Sequence, residues 1–135
     1  MKKLLFIAVS VLISTAAFAQ NSAKTKYFFV YGWEYKAYVA GNTPATKAQP
    51  AISNVFSTNC KDDDKPMKIG IENEFSDHYA AYLSKNRGFD MLRPLYVYGD
   101  FESYEEAEKE RRKVIADLNY KSDPIFVKDF SVSCE

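Results

Sequence analysis

The chain has 135 residues, with 18 basic and 18 acidic side chains and one histidine, so its formal net charge is zero. That balance argues against general affinity for nucleic acid or an anionic membrane surface. One histidine and two cysteines are too few for a zinc site and give no credible Ser/His/Asp or Cys/His constellation.

Residues 1–19 read as a bacterial-style export signal. Lys2-Lys3 is a basic start, Leu4 to Ile13 an apolar core, and Ala17-Phe18-Ala19 a small-residue cleavage site before Gln20. The apolar core is shorter than the roughly 20 residues that a spanning helix needs. No cysteine stands at the cleavage point to take a lipid. Cleavage leaves residues 20–135 with a net charge of −2, because Lys2 and Lys3 leave with the signal and no acid does. The expected location is periplasmic or secreted, the expected product is a single small domain, and no later segment suits a membrane span.

Tyr27 to Val39 alternates as a strand. Tyr27, Phe29, Tyr31, Trp33 and Tyr35 share one face. The other face is apolar up to Gly32 and polar at Glu34 and Lys36, which predicts growing exposure. Gly32 suggests a bulge or bend. Such an aromatic row either fills a core beneath helices or stacks on a sugar or peptide. Gly41 to Pro50 is a loop, and Ala51 to Thr58 a second strand.

Cys60 sits in a polar turn with Asp62-Asp63-Asp64. The three acids lack the alternating oxygen ligands, turn glycine and later glutamate of a calcium loop, so no metal is expected there. With Cys134 far along the chain, the two cysteines read as one disulfide in an oxidising compartment.

Met67, Ile69 and Ile71 alternate as a short strand, and Phe75 to Asn86 follows as a helix. Phe75, Tyr79, Tyr82 and Leu83 fall on one face, Asn73 or Ser76 supplies the cap, and Gly88 the stop. His78 beside Asp77 is weak ground for acid–base chemistry, since adjacent helical residues do not face each other.

The clearest pattern runs from Pro94 to Tyr120. Leu95-Tyr96-Val97-Tyr98 is a strand, Gly99-Asp100 a turn, and Ser103 to Asn119 a helix. Ser103 and Glu106 form a capping-box pair worth about 1 kcal/mol. Acids precede bases along the helix, with Glu105–Lys109 and Glu108–Arg112 at i,i+4. Tyr104, Ala107, Val114, Ile115 and Leu118 form the buried stripe, crossed by the Arg111 stem. Ile125 to Cys134 is the last strand, with Phe126, Phe130, Val132 and Cys134 on one face.

Tyr96 to Phe101, followed by Glu105-Glu106-Ala107-Glu108 and a helix ending at Leu118-Asn119-Tyr120, resembles the second half of a SPOR repeat. Phe28 to Trp33 echoes the same strand. SPOR domains bind denuded peptidoglycan glycans on a sheet face. The resemblance implies glycan contact through Tyr31, Trp33 and Tyr96.

The expected fold class is α+β: a two-layer sandwich whose mostly antiparallel sheet carries both helices on one face, with a ferredoxin-like topology as the first choice. The expected function is a non-catalytic envelope binding or interaction module, its partner another protein of the envelope or exterior. The candidate binding face is Tyr31, Trp33, Tyr35, Tyr96 and Tyr98. Peptidoglycan binding of the SPOR kind is the alternative, and a small hydrolase using acidic residues the second. No cofactor and no catalytic residue is expected.

Overall fold

A computed structural model describes residues 25–36, 47–58, 64–81 and 87–132. The expected export signal, both cysteines and the expected helical residues 82–86 lie outside them. The fold is α+β, with an open five-stranded sheet and two long helices.

β1 (Lys26–Tyr35) is the central strand. It pairs antiparallel with β2 (Pro50–Ser53) and β3 (Phe56–Thr58) along one edge and with β4 (Met91–Phe101) along the other. β2 and β3 are the expected second strand broken at Asn54-Val55. Beyond β2, the short β5 (Ile125–Val127) adds a parallel strand. β4 carries one extra residue opposite the interval Tyr27 to Phe29 and another opposite Gly32 to Glu34. Gly32 thus stands beside a bulge, as its position in the strand suggests.

α1 spans Asp64–Tyr79 and replaces the expected strand at Met67 to Ile71. Met67, Ile71, Phe75 and Tyr79 recur every four residues, and the last three are buried, whereas Ile69 is half exposed. The alternation of apolar residues is therefore incidental, and the helical stripe is what the core selects. Pro66 falls in the first turn, where its missing N–H costs no intrahelical bond. Asn73 and Ser76 lie inside this helix and do not cap it. Gly88 has φ +74°, the left-handed conformation that favours glycine.

α2 (Tyr104–Asn119) forms as its sequence pattern predicts. Ser103 Oγ accepts from the Glu106 N–H at 3.1 Å, while the Glu106 carboxylate accepts from Glu102 N–H rather than Ser103 N–H. Glu108 pairs with Arg112 at 3.3 Å and with Arg111 at 3.4 Å, and no ion pair joins Glu105 to Lys109 among the described residues. Tyr104 is half exposed rather than buried, its ring meeting the edge of Tyr27.

The two helices do not share a face. Phe28 and Val30 of β1 pack with Ile71, Phe75 and Tyr79 of α1. Phe29, between them, packs with Ala107 and Leu118 of α2. Successive strand residues point to opposite sides, so the helices lie on opposite sides. Strand order supplies the reason. The chain crosses from β3 to β4 through α1, then returns from β4 to β5 through α2. Both crossovers join parallel strands of one sheet, and such connections are right-handed almost without exception. Reversing the direction of travel at constant hand moves the helix to the other face. The ferredoxin-like arrangement, with both helices on one side, is therefore not formed.

β5 ends at Val127, well short of the expected strand. Phe126 is half exposed and faces away from Val127 and Phe130, which enter the α1-side core. No helix of the described residues is long and apolar enough to cross a membrane.

Candidate functional site

The aromatic row is divided between core and surface. α2 covers its first part, where Phe29 is fully buried and stacks on Tyr98 at 5.0 Å between ring centroids. Beyond the helix the row emerges. Tyr31 stacks on Tyr96 at 4.9 Å and leans on Tyr98 at 5.9 Å. Tyr31, Trp33 and Tyr98 are half-buried, while Tyr35 and Tyr96 are 46% and 43% exposed. The five residues of the candidate binding face therefore form one strip across β1 and β4, backed by the α2-side core. Burial, then the neighbouring Tyr98 and Tyr96, pushes the Tyr31 hydroxyl up to about 12, so its proton is held and its oxygen stays neutral.

A second cluster lies at the end of β1 on the other face. Glu34 is only 5% exposed, against the expectation of growing exposure after Gly32. Arg87 Nε donates to Glu34 Oε1 at 2.5 Å and Arg87 Nη2 to Oε2 at 2.9 Å. The Tyr79 hydroxyl donates to Oε1, and the Gln49 N–H to Oε2 at 2.9 Å. Arg87 Nη2 also reaches Gln49 Oε1 at 2.7 Å, and Gln49 Nε2 the Asp123 carbonyl at 2.8 Å. Burial opposes the Glu34 charge, but donation from Arg87, Tyr79 and Gln49 outweighs it and holds the carboxyl below its ordinary range. Burial and then the Glu34 carboxylate push the Tyr79 hydroxyl up, and the bond to Glu34 pushes the Arg87 guanidinium up. Every strong acceptor site of this carboxylate is used, so it acts as a clasp between β1, α1 and the segments at Gln49 and Arg87.

A groove of about 470 Å³ runs between α1 and the first half of β4. Glu72, Asn73, Ser76 and Asp77 line it from α1, and Asp90, Arg93 and Pro94 from the approach to β4 and its start. His78 lies off this groove, its ring edge-on to Phe130 at 5.6 Å. Among the described residues no group of three or more His, Cys, Asp or Glu side chains is placed to hold a metal ion.

The strip was legible from alternation alone. The clasp and the groove were not: the groove takes Glu72 and Asn73 from a stretch of α1 that the sequence did not assign to a helix, and the clasp joins residues far apart in the chain. Nothing in the local sequence pairs Glu34 with Arg87.

No protein-family model matches this chain, and no curated protein and no solved structure matches it either.

Proposed function

We propose that residues 20–135 form a non-catalytic binding module, exported to the periplasm or beyond, whose partner is another protein of the envelope or exterior. The observation that carries this reading is the uncovered end of the aromatic row: Tyr35 and Tyr96 are exposed, and Tyr96 stacks on the half-buried Tyr31. Tyrosine suits an interface because it brings large apolar area, a polar tip and little rotamer entropy to lose. Rings already stacked on their neighbours lose less still, so the strip is pre-organised. The export-signal pattern read in residues 1–19 agrees with a role in the envelope or outside the cell.

The test is affinity capture with mature Gln20–Glu135 from the envelope and culture fluid of the producing cell, read by mass spectrometry and sugar analysis. The expected result is one protein in stoichiometric amount. A Tyr35→Ala, Tyr96→Ala variant should keep its circular dichroism spectrum and weaken binding by about 30-fold, the loss typical of interface anchors. Muropeptides without a dominant protein would replace this reading with the SPOR-like one, in which Tyr31, Trp33 and Tyr96 contact glycan. Capture that is indifferent to the double variant would remove the strip from the interface. The remaining alternative, a hydrolase using acids such as those of the groove, predicts turnover that is lost on neutralising Glu72, Asp77 or Asp90.

A further inference from the structure

We propose that the partner is received as an antiparallel β-strand added to the outer edge of β4, and that this strand alternates aromatic or apolar side chains with basic ones. The inference rests on the binding reading above and specifies how the partner is held.

Among the described residues β4 pairs only with β1. The direction of its backbone groups follows from β1. The Glu34 N–H donates to the Gln49 carbonyl at 3.0 Å and the Val30 N–H to Ser53 Oγ at 2.9 Å. Even-numbered residues of β1 therefore turn their backbone groups toward β2, away from β4. Val30 stands opposite Val97, and Gly32 opposite Leu95. In an antiparallel ladder, opposed residues either exchange both hydrogen bonds or both turn away. Leu95 and Val97 thus direct N–H and C=O to the outer edge, away from β1. The bulges on either side limit the regular run to Leu95–Tyr98, and Pro94 offers no donor. Bulges and proline are the usual guards of an edge strand. Here they leave one short window open and so fix the register of whatever pairs with it.

The two sides of this window differ in chemistry. On the α2 side stand Tyr96 and Tyr98, continuous with the aromatic strip. On the α1 side lies the groove, where Glu72 and Asp77 outnumber Arg93 among the described lining residues. A side chain opposite Tyr96 or Tyr98 lies against the rings, and one opposite Leu95 or Val97 lies on the groove side. Backbone pairing supplies affinity in strand addition, and alternate side chains supply specificity. Charge complementarity selects lysine or arginine on the groove side.

The probe is a synthetic eight-residue peptide of alternating lysine and tyrosine, titrated against the mature chain, residues 20–135. An antiparallel strand whose lysines stand opposite Leu95 and Val97 points its lysine N–H groups at β4 and its tyrosine N–H groups away. N-methylation of the lysines should therefore weaken binding about tenfold or more, while N-methylation of the tyrosines leaves it unchanged. Replacing lysine by glutamate should weaken binding as well. Equal affinity of the two methylated peptides, loss on methylating the tyrosines instead, an undiminished glutamate peptide, or no binding at all would each overturn the proposal. Captured protein that still depends on Tyr35 and Tyr96 would then leave the binding module standing without strand addition.

Discussion

At the scale of single residues, the decisive group is Glu34. A carboxylate this buried costs free energy unless its oxygens are filled, and Arg87, Tyr79 and Gln49 fill them. Glu34→Gln keeps the shape and removes the charge that faces the partly buried Arg87 guanidinium. The expected cost is about 3 kcal/mol by urea unfolding at pH 7, the low end for a broken buried pair because Arg87 retains some contact with water. The sign of the pH dependence follows from the lowered carboxyl. In the folded state it ionises below its unfolded value of about 4.3. Its stabilisation is complete above that value and disappears as pH falls through the folded one. The gap between wild type and Glu34→Gln should thus be full at neutral pH and close in acid. A gap that persists unchanged at pH 2 would mean that shape, not charge, is what the clasp needs.

At the scale of elements, α2 was legible because its signals agree: cap, charge order and apolar stripe all point to one helix. β1 and the Leu95–Tyr98 part of β4 were legible by alternation, and the five-residue strip came with them, whereas Gly99-Asp100, expected as a turn, continues the strand. In the second half of α1, Phe75 to Tyr79 was legible as a helix, but the first half was hidden because Met67, Ile69 and Ile71 mimic a strand, and Pro66 and Gly70 speak against a helix locally. Burial of Ile71, Phe75 and Tyr79 against Phe28 and Val30 decides the matter, and no local pattern carries that contact. β5 misled in another way, since alternation assigned Phe126 the phase of Phe130. In fact Phe126 is covered only on the α2 side, where the Arg111 guanidinium lies 5.9 Å from its ring centre. The same guanidinium donates to the Ser53 carbonyl at 2.6 Å, tying helix to sheet. Arg111→Leu keeps an apolar stem but strands that carbonyl, so about 1–3 kcal/mol should be lost. Ser103→Ala removes only the cap and should cost about 1 kcal/mol. Thermal unfolding of both variants checks the order. A milder effect at Arg111 than at Ser103 would show that propensity, not the tie to the sheet, holds α2 in place.

At the scale of the whole molecule, the C-terminal segment of the described chain is fastened to the sheet at Asn54. Its side chain accepts from the Phe130 N–H at 2.9 Å and donates to the Phe130 carbonyl at 3.0 Å, while its own N–H donates to Val127. The Phe130 ring stands edge-on to Phe56 at 5.1 Å. From this shared point the chain continues four residues to Cys60 on one side and four to Cys134 on the other. Four residues can span up to about 14 Å, so chain length alone permits a bridge between Cys60 and Cys134, which needs Cα atoms some 4.4–6.8 Å apart. A Cys60–Cys134 disulfide would close a loop of about 75 residues containing α1, β4, α2 and β5, and on the loop-entropy model would stabilise by roughly 4 kcal/mol. Export to an oxidising compartment is the condition under which it forms. Peptide mapping of the non-reduced mature chain should find the two cysteines linked, and reduction should lower the unfolding temperature without changing the native far-ultraviolet spectrum. Two free thiols in protein recovered from the periplasm or medium would refute the bridge. Asn54 would then fasten the chain's end together with the β2–β5 pairing and the ring contacts of Phe130, and Asn54→Ala, which removes both side-chain bonds, would loosen it.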